Sequence, residues 1–338
     1  MRTDDFDYVL PAERIAQRPI RPRDHSRLLV LDRATGRIEH ARFDDLPSFL
    51  QPGDMIVLNE TRVLAARLRA RKLPTGGRCE VLLLRREGER TWEAWVGGRG
   101  LAPGRRLQVD GGPAAMIEAD LGGSRRRIRF DEPISPLLEK IGAMPVPPYI
   151  QAPLDDPDDY QTVFGRVPGS AAAPTAGLHF TPKLLERLRT SGVLLGFVTL
   201  HIGLDTFAPV VEDDPSHHPI HTEWCRLPET TAALVREVKR VGSRVVAVGT
   251  TSVRTLESAC RGAAGEVRAF EGPTDLYILP GFEFRVVDAL LTNFHLPRST
   301  LLMLVSAFAG RERILSTYEL AIREGYRFYS FGDAMLIV

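Results

Sequence analysis

The residues best suited to acid–base chemistry are histidines and a glutamate clustered in the second half of the chain. Residues 217–223 hold three histidines and Glu223, and His201 stands twenty residues before His221. Imidazoles and a carboxylate at this density could bind a divalent metal ion or exchange protons near neutral pH. Because Pro219 breaks a helix that would align them one turn apart, the pattern favours acid–base or hydrogen-bonding roles for His221 and Glu223 over a metal site. A surface turn is the remaining alternative.

A second candidate is an anion site at the start of a helix. The apolar run 245–248 is typical of a buried strand, and Gly249, three hydroxyl residues and Arg254 follow it. Free N–H groups at a helix start, the positive end of the helix dipole and a guanidinium together favour a carboxylate or a phosphate. Ordinary capping of the helix by one of the hydroxyls is the alternative.

Two polar loops could contribute further groups to a site. Residues 169–181 are unusually small, so that their backbone could approach a ligand closely, and they include His179. A tight structural loop with a hydrogen-bonded histidine is the alternative. Residues 292–300 crowd Asn293 and His295 into a turn that opens an apolar helix, and polar groups on loops over a rigid scaffold often serve binding.

Several charged residues have a structural alternative that is at least as good. The segment 21–27, with three arginines, could clamp a phosphate or form a solvated loop with internal ion pairs, and its composition favours the second. Residues 59–62 could form a simple hairpin turn. Asp275 and Asp333 stand where an aspartate commonly accepts hydrogen bonds from turn amides.

The sequence lacks the usual fingerprints of nucleotide and metal sites. It has no G-x-G-x-x-G after a strand, no G-x-x-x-x-G-K-[ST] and no H-E-x-x-H, so nucleotide binding, if present, uses another device. Cys79, Cys225 and Cys260 lie far apart without a C-x-x-C pair. This spacing supports neither a disulfide framework nor a thiolate metal site.

The elements around these candidates alternate between strand and helix, which indicates an α/β domain with a largely buried mixed sheet. Thr181 and Pro182 are predicted to start a helix as N-cap and first residue, and Gly192 to end it. The other predicted elements of this part are strands 27–32, 54–58, 193–200 and 243–249, helices 228–241, 252–261, 299–309 and 312–325, and a strand, turn and strand over 326–338.

Between residues 66 and 131 the pattern changes to brief β-prone runs separated by glycine-rich turns. Short strands at this spacing predict a small antiparallel barrel or sandwich. The predicted strands are residues 78–85, 91–97, 105–109, 114–120 and 125–130.

The end of this region marks a domain boundary. A helix is predicted over 133–141, and the proline-rich run 144–153 that follows cannot continue it. We therefore expect a discontinuous α/β domain over residues 1–65 and 150–338, interrupted by an inserted β-barrel domain over 66–149.

The net charge hides an asymmetry between these regions. The whole chain carries 44 basic and 43 acidic residues, a formal net charge of +1. Residues 62–129 hold 16 basic and seven acidic residues, a balance of +9, which leaves −8 for the rest. Coding bias explains why only four of the 44 basic residues are lysine, but not why acids are scarce in one segment. The inserted domain is therefore a candidate surface for a polyanion such as a nucleic acid.

Composition places the chain among ordinary globular proteins. It has 338 residues, of which 43% are hydrophobic and 26% charged, enough for two domains. No window approaches the roughly 18 apolar residues of a membrane span, and the N-terminus is acidic where a signal peptide would be basic and then apolar. We expect a cytoplasmic protein without membrane contact.

Taken together, nine segments resemble the S-adenosylmethionine:tRNA ribosyltransferase-isomerase family of the queuosine pathway. They cover nearly the whole chain in the expected order, and agreement by chance over all nine is negligible. The segments are residues 4–10, 21–29, 52–68, 146–150, 160–164, 169–181, 248–258, 292–310 and 326–337.

The resemblance implies that S-adenosylmethionine is consumed as a ribosyl donor, with no further cofactor. The ribosyl group would be transferred to the aminomethyl group of 7-aminomethyl-7-deazaguanine at the tRNA wobble position and isomerised, which releases adenine and methionine and leaves epoxyqueuosine. It also implies a monomer whose α/β domain is interrupted by a β-barrel. Two rival functions remain, a non-catalytic RNA-binding protein with the same basic barrel and a histidine-based metalloenzyme.

Such a reaction needs a base with a pKa near neutrality, a donor to adenine and an anion site for the methionine carboxylate. We expect His179 or His221 as the base, with Glu223 orienting an imidazole and His201 as a further catalytic candidate; Arg254 with Thr250 and Thr251 would take the carboxylate. The expected substrate-binding residues are Arg23, Asp24, Arg27, Asn59, Thr61, Arg62, Thr175, Gly177, Thr250, Thr251, Arg254, Asp275, Asn293, His295, Arg298 and Asp333. The expected tRNA contacts are Arg67, Arg69, Arg71, Arg125, Arg126 and Arg127.

Two positions depart from the family pattern. Asp205 replaces the second glycine of a His-x-Gly-x-Gly-Thr-Phe element that begins at His201, and Ile220 stands where the family has methionine. Aspartate tolerates left-handed backbone better than most residues, so the loop is expected to survive with an added charge near the expected pocket. The exchange at Ile220 keeps an apolar side chain.

Overall fold

The structure, a computed structural model, describes residues 1–203, 209–261 and 265–338. Contacts divide the chain into two compact units. The α/β unit comprises Met1–Thr61, Pro148–Val167 and Ala173–Val338, and the barrel unit comprises Arg62–Pro147 and Pro168–Ala172. No helix within the described ranges is long and apolar enough to cross a membrane.

The strands form where short apolar runs meet turns, and the helices where apolar residues recur every three or four positions. The strands are β1 (Arg27–Leu31), β2 (Ile38–Arg42), β3 (Met55–Asn59), β4 (Thr61–Val63), β5 (Arg67–Lys72), β6 (Arg78–Arg86), β7 (Thr91–Gly97), β8 (Arg106–Val109), β9 (Ala114–Asp120), β10 (Arg125–Phe130), β11 (Val167–Ser170), β12 (Leu194–Leu200), β13 (Glu223–Leu227), β14 (Val245–Val248), β15 (Phe270–Thr274), β16 (Ala289–Asn293) and β17 (Ala334–Ile337). The helices are α1 (Leu138–Ile141), α2 (Pro182–Thr190), α3 (Glu229–Arg240), α4 (Thr250–Ser258), α5 (Thr300–Ala309) and α6 (Arg311–Arg323).

The α/β unit is built on one mixed sheet in the order β15-β13-β12-β3-β14-β16-β17-β1-β2. The neighbours β12, β3, β14 and β16 are parallel, β17 is antiparallel to β16, and β1 is parallel to β17. This sheet and the closed antiparallel barrel of the other unit confirm the predicted fold class.

Both faces of the central strands are buried. Along β3, Met55 and Val57 pack into a core with residues of α3, α4, α5 and α6, while Ile56 and Leu58 pack into a second core with residues of α2. Alternate residues of a strand point to opposite faces of the sheet. Because helices cover both faces, a central strand is apolar at successive positions and not only at every second one.

The directions of the strands bring several chain segments to one edge of the sheet. The carboxyl ends of β3, β12, β14 and β16 lie at this edge, and so do the amino ends of β17 and β1 because they run the opposite way. The strands β12 and β14 flank β3 on opposite sides. Such a switch in strand order leaves a crevice in which α/β proteins commonly bind ligands.

The barrel unit closes six antiparallel strands in the order β10-β7-β6-β5-β8-β9, with β9 paired to β10. The sequence missed β5, whose alternation is hidden because arginine occupies every second position. Leu68 and Ala70 are buried, whereas Arg67, Arg69 and Arg71 lie on the opposite face of the strand.

Three predicted elements differ from the structure. The helix predicted over 133–141 is a 3-10 turn at Ser135–Leu137 followed by the short helix α1. The α conformation is sterically disfavoured for a residue that precedes a proline, so the α-helix begins only after the turn. The helix α4 begins two residues earlier than predicted, because Gly249 turns the chain with a φ of +81°. In the tail, Phe328 forms only an isolated bridge with Ile15 in the described chain.

Candidate active site

A cleft opens at the edge of the sheet where the strand order switches. Its empty volume is about 570 Å³, including the open solvent at its mouth. Five predicted substrate-binding residues lie together in its wall: Thr175, Thr250, Thr251, Asn293 and His295.

Asn59, at the end of β3, ties the neighbouring strand ends together. Its Nδ2 donates to the carbonyl of Leu200 (3.0 Å) and to Thr251 Oγ1 (3.2 Å). Its Oδ1 accepts from the N–H groups of Leu200 (3.0 Å) and Thr61 (3.2 Å). A primary amide has two donors and two acceptor positions, so all of them are in use. In the structure Asn59 positions Thr251, and its predicted contact with a substrate stays a prediction.

The start of α4 faces the cleft without a side-chain cap from the described residues. Thr251 Oγ1 accepts from Asn59, and Ser252 Oγ donates to the carbonyl of Val248 at 2.8 Å. The capping alternative is therefore wrong. The first N–H groups of a helix have no partner within it, and Gly249, the N-cap residue, lines the cleft. This wall of the cleft favours an anionic or electron-rich group.

His179 is buried behind Asn293 and, among the described residues, is not part of the cleft wall. Its ring stacks on Phe43 with 4.8 Å between centroids. Its Nδ1 lies 2.7 Å from Ser26 Oγ, and its Nε2 lies 3.3 Å from Asn293 Nδ2. Because Asn293 Oδ1 accepts from Thr175 at 2.8 Å, Asn293 Nδ2 is the donor toward Nε2, and the imidazole proton lies on Nδ1. His179 therefore holds Asn293 in place.

Burial keeps two of the predicted histidines neutral. It lowers the pKa of His179 to about 3, with smaller contributions from the positive charges of Arg23 and Arg327. It also lowers the pKa of His295 to about 3. His295 lies in the cleft wall with Nε2 2.8 Å from Thr292 Oγ1. A group with a pKa this far below neutrality is a poor acceptor for a substrate proton.

Tyr149 and Tyr329 form an aromatic part of the cleft wall that the sequence did not single out. Their ring centroids are 4.7 Å apart, and Tyr149 Oη lies 2.8 Å from Ser330 Oγ. Tyr329 has a φ of +69°, which is uncommon for a bulky residue, and such strain concentrates at ligand sites. A flat heteroaromatic ring could stack on this wall. No local pattern signals it, because the two tyrosines are far apart in sequence.

A second cavity lies beside the cleft, and Leu301 lines both. Its empty volume is about 480 Å³ with the solvent at its mouth. His218, His221, Glu223 and Arg254 line it. Arg254 therefore lines the second cavity, whereas Thr250 and Thr251 line the cleft.

A buried ion pair forms one wall of this second cavity. Arg254 Nη1 contacts Glu223 Oε2, and Arg254 Nε donates to the carbonyl of Leu276 at 3.0 Å. Glu223 Oε1 accepts from the N–H of Gly203 at 3.0 Å. The two charged side chains are only 9% and 6% exposed. Glu223, predicted to orient an imidazole, thus neutralises a buried guanidinium.

His201 is the first residue of the His-x-Gly-x-Gly-Thr-Phe element, which departs from the family pattern at Asp205. Its Nδ1 lies 2.8 Å from Thr61 Oγ1, and its ring stacks on Trp224 with 5.1 Å between centroids. Burial lowers the pKa of His201. Asp205 lies outside the described residues.

Arg23 and Asp24 anchor loops of the α/β unit. Arg23 Nη1 donates to the carbonyl of Asp159 at 2.7 Å, and burial lowers the pKa of Arg23 to about 10. Asp24 Oδ2 accepts from Thr181 Oγ1 at 2.6 Å, while Thr181 caps α2 as predicted. In the described chain neither residue lines either cavity.

Arg27 and Asp333 also have structural partners. The guanidinium of Arg27 lies over the ring of Tyr326, 3.7 Å from its centroid. Asp333 accepts hydrogen bonds from the backbone N–H groups of Arg27 (3.0 Å) and Arg327 (2.8 Å). This is the alternative in which the aspartate accepts hydrogen bonds from backbone amides. Burial raises the pKa of Asp333 despite these bonds.

Three more predicted substrate-binding residues lie apart from the two cavities as the described residues define them. Gly177 is needed for packing, since a Cβ there would lie 2.8 Å from Phe164 Cζ. Arg298 is exposed, with its Nε 3.6 Å from Asp7 Oδ2. Asp275 is exposed in a surface ion pair.

The barrel arginines predicted to contact tRNA are mostly paired with acids. Arg69 has no ion-pair partner among the described residues, and Arg62 lies half-buried in β4. The pairs are Arg67–Glu80 (3.4 Å), Arg71–Asp110 (3.4 Å), Arg125–Glu93, Arg126–Asp120 (2.7 Å) and Arg127–Glu87 (2.6 Å). The positive balance counted from the sequence is thus partly neutralised on the surface.

The three cysteines are free, and Cys225 and Cys260 are buried. Burial raises the pKa of both thiols to about 11, so they are unreactive at neutral pH. Within the described part of the chain, no group of three or more His, Cys, Asp or Glu side chains could hold a metal ion. The expectation of a metal-free site stays a prediction.

Similarity to known proteins extends over almost the whole chain. A family model described as a queuosine biosynthesis protein matches residues 3–337. The chain belongs to this family. The family resemblance seen in the nine sequence segments is thereby confirmed.

Relatives of this queuosine biosynthesis protein include named enzymes. The S-adenosylmethionine:tRNA ribosyltransferase-isomerase of Symbiobacterium thermophilum is 52% identical over 100% of both chains. The protein of the same name from Thermus thermophilus is 53% identical over 98% of both. The crystal structure of an S-adenosylmethionine tRNA ribosyltransferase from Thermotoga maritima matches with a TM-score of 0.58 and 41% identity, covering 99% of this chain and 100% of that one.

Proposed function

We propose that this chain transfers the ribosyl group of S-adenosylmethionine to 7-aminomethyl-7-deazaguanine at the wobble position of tRNA and isomerises it to give epoxyqueuosine. The C–N bond to adenine, the C–S bond of the sulfonium and a C–O bond of the ribose ring break. A C–N bond to the aminomethyl group, a C–C bond that closes the carbocycle and the C–O bond of the epoxide form. Adenine and methionine leave. S-adenosylmethionine is consumed as a substrate without a further cofactor, and the enzyme acts as a cytoplasmic monomer.

The observation that carries this proposal is the extent of the similarity. About half of all residues are identical to enzymes named for this reaction, over 98% to 100% of each chain. The match therefore includes the α/β unit and the barrel unit alike. Similarity to one unit alone would support only the binding of one substrate.

The cleft offers groups that suit the donor. The aromatic wall of Tyr149 and Tyr329 provides a stacking surface for a purine ring. Asn293 and His295 bring hydrogen-bonding groups to the same wall, and the uncapped start of α4 adds N–H donors. These are groups that hold adenine and ribose.

We assign proton removal to His221. A sulfonium acidifies the neighbouring ribose C5′, so a base is needed there. His179 and His295 are buried with strongly lowered pKa values, whereas His221 is exposed and lines the second cavity. His221 is thus an exposed imidazole on the wall of the second cavity.

The barrel unit supplies contacts to the phosphates of tRNA. Arg67, Arg69 and Arg71 lie on the face of β5 opposite the buried Leu68 and Ala70. Phosphate contacts by such residues provide affinity without sequence information. The modified base itself belongs to the anticodon loop, where bases can be splayed out and recognised on their edges.

The test is release of adenine and methionine from S-adenosylmethionine by the purified protein. The protein is incubated with tRNA carrying 7-aminomethyl-7-deazaguanine, with tRNA carrying guanine at that position, and with each plus a chelator. The proposal predicts equal amounts of both products, only with the modified tRNA and undiminished by the chelator.

Other outcomes identify the rival functions. Binding of tRNA with no adenine released would support a non-catalytic RNA-binding protein. Turnover that disappears with the chelator and returns with a divalent metal would support a metalloenzyme. Either result would contradict the proposal.

A further inference from the structure

Among the described residues, Trp224 is the only phenylalanine, tyrosine or tryptophan in an exposed position, with an exposure of 36%. It lies in β13 opposite His201, whose N–H donates to the Trp224 carbonyl at 3.0 Å. The two rings stack at an interplanar angle of 18°, and Trp224 has no second ring contact in the described chain. Thr61 holds the imidazole through its hydroxyl. The stacked pair is therefore a fixed aromatic platform with one indole side exposed to solvent.

The platform of His201 and Trp224 lies at the edge of the sheet that carries the cleft. This is the edge where β12 ends, and β13 begins there because it runs antiparallel to β12. Ile202, the residue after His201, lines the cleft, and Glu223, the residue before Trp224, lines the second cavity. A chain that places one unit in the cleft can therefore place the next unit on the platform.

A positive charge accompanies the platform on the exposed face of β13. Arg226 follows Trp224 by two residues, so that both side chains leave the same face about 7 Å apart. The side chain of Arg226 is 54% exposed, and its Nε lies 3.4 Å from Glu271 Oε2. An exposed pair of this kind contributes little to stability, so the guanidinium can turn to another anion. An aromatic ring beside an arginine is a common combination for binding single-stranded nucleic acid.

We propose that Trp224 stacks on an unpaired base of the tRNA anticodon loop, next to the modified base, and that Arg226 contacts the phosphate of the same nucleotide. The proposal rests on the proposed function for tRNA as the partner. Stacking on an aromatic ring tolerates every base, so Trp224 adds affinity and orients the loop without recognising its sequence. The α/β unit thus holds part of the tRNA itself, in addition to the phosphate contacts that we assign to the barrel unit.

The test measures the affinity of the full chain for a synthetic anticodon stem–loop RNA that carries 7-aminomethyl-7-deazaguanine. Binding is followed by fluorescence anisotropy without S-adenosylmethionine, so that no turnover occurs. Trp224→Ala removes the stack and should weaken binding about 5- to 150-fold, which is the range for one base stacked on an aromatic ring. Trp224→Phe keeps a flat ring and should restore most of the affinity.

Two further RNAs identify the contacted nucleotide. Each carries an abasic position on one side of the modified base. One of them should bind the wild type and Trp224→Ala with equal affinity, since the variant and the RNA then lack the same contact. The other should show the full difference between the two proteins.

The salt dependence separates stacking from charge. Trp224→Ala should leave the slope of log K against log salt unchanged, whereas Arg226→Gln should reduce it by about 0.7. Val241→Ala is the matched control, because Val241 is an exposed apolar residue (56%) that follows α3 at the opposite edge of the sheet. It should bind every RNA as the wild type does.

The outcomes separate this proposal from the proposed function. Wild-type affinity of Trp224→Ala, in a chain whose wild type releases adenine, would overturn the platform and leave the function standing. The predicted pattern of affinities in a wild type that releases no adenine would support the platform and overturn the function. Equal weakening by Trp224→Ala for both abasic RNAs would indicate a structural defect and overturn the contact. Self-association that Trp224→Ala abolishes would show that a second copy covers this face, which also contradicts the proposal.

Discussion

The two units of the molecule use charged and polar side chains in opposite ways. All eight histidines lie in the α/β unit, and residues 62–147 and 168–172 of the barrel unit contain none. In the α/β unit most charged and polar groups at or behind the two cavities are buried, with exposures of 4% for His179 and 8% for Arg254, whereas His221 is exposed. In the barrel unit several arginines lie at the surface: the side chains of Arg125 and Arg127 are 40% and 42% exposed, although that of Arg126 is only 13% exposed.

This difference decides what each kind of residue can do. Burial at the edge of the sheet lowers histidine pKa values and fixes hydrogen-bonding groups, which suits the recognition of a small molecule. Exposure on the barrel leaves ordinary, solvent-screened charges, which suit contact with a polyanion. Ion pairs are therefore expected to contribute strongly to the stability of the α/β unit and weakly to the stability of the barrel unit.

The largest effect is expected on turnover. His221→Asn removes the group to which we assign proton removal, and loss of a general base typically costs about 10²- to 10⁴-fold in rate. Arg127→Gln on the barrel should leave the turnover number at saturating tRNA unchanged. Single-turnover adenine release checks both; if His221→Asn kept the wild-type rate, the assignment of the base would be wrong.

The next effect concerns stability. Glu223 and Glu93 are both buried carboxylates that pair with arginine, but the side chain of Arg254 is 9% exposed whereas that of Arg125 is 40% exposed. Removing one partner of a buried pair costs about 3 to 5 kcal/mol, so Glu223→Gln should lower the free energy of unfolding by this amount. Glu93→Gln should cost about 1 kcal/mol or less, because water solvates the arginines left behind.

Amide hydrogen exchange compares each variant with the wild type. Exchange in β12 reports the loss of stability in the α/β unit, and exchange in β7 reports the loss in the barrel unit. A loss for Glu93→Gln as large as that for Glu223→Gln would break the contrast between the units.

A smaller effect is the pH dependence of the α/β unit. The folded pKa of His179 is about 3 and its ordinary value is 6.5, so between these values the unfolded chain binds a proton that the folded chain does not. The neutral histidine therefore makes its whole contribution to the free energy of unfolding above pH 6.5. Below that pH the contribution falls by about 1.4 kcal/mol per pH unit for each such histidine. At pH 5 this amounts to about 2 kcal/mol for His179.

His179→Gln should remove that part of the decline, and His295→Gln should do the same for His295, whose pKa is also about 3. Urea unfolding at pH 7 and pH 5 compares each variant with the wild type. An unchanged pH slope in His179→Gln would contradict a neutral, buried imidazole.

The smallest effect is expected on the barrel. Arg69 has no ion-pair partner among the described residues, whereas Glu87 already neutralises Arg127. Arg69→Gln should weaken tRNA binding several-fold and reduce the slope of log K against log salt by about 0.7 to 0.9. Arg127→Gln should change both less. Filter binding over a range of salt tests this, and equal effects would show that the ion pairs do not matter for tRNA.

Much of the fold could be predicted from the sequence. The predicted strands 91–97, 114–120 and 125–130 coincide with β7, β9 and β10, because turns with glycine bound each run. Thr181 and Pro182 start α2 as predicted. The strand β5 escaped prediction because arginines at every second position conceal a two-residue alternation that only burial of Leu68 and Ala70 makes visible.

The site was only partly predictable. Thr175, Thr250, Thr251, Asn293 and His295 belong to local motifs, and the structure brings them together in one cleft. The roles of other residues depend on contacts between segments that are distant in sequence. The four hydrogen bonds of Asn59, the pairing of Arg254 with Glu223 and the aromatic wall exist only after the sheet has formed.

The central claim is that the α/β unit of this chain passes the ribosyl group of S-adenosylmethionine to tRNA. The most direct measurement uses S-adenosylmethionine labelled with ¹³C in all ribose carbons and tRNA carrying 7-aminomethyl-7-deazaguanine, followed by mass spectrometry of the digested tRNA. The account predicts that the modified nucleoside gains the complete labelled ribosyl carbon skeleton, with one unlabelled adenine released for each transfer. Label that stays in S-adenosylhomocysteine or in free S-adenosylmethionine, with none in the tRNA, would contradict it.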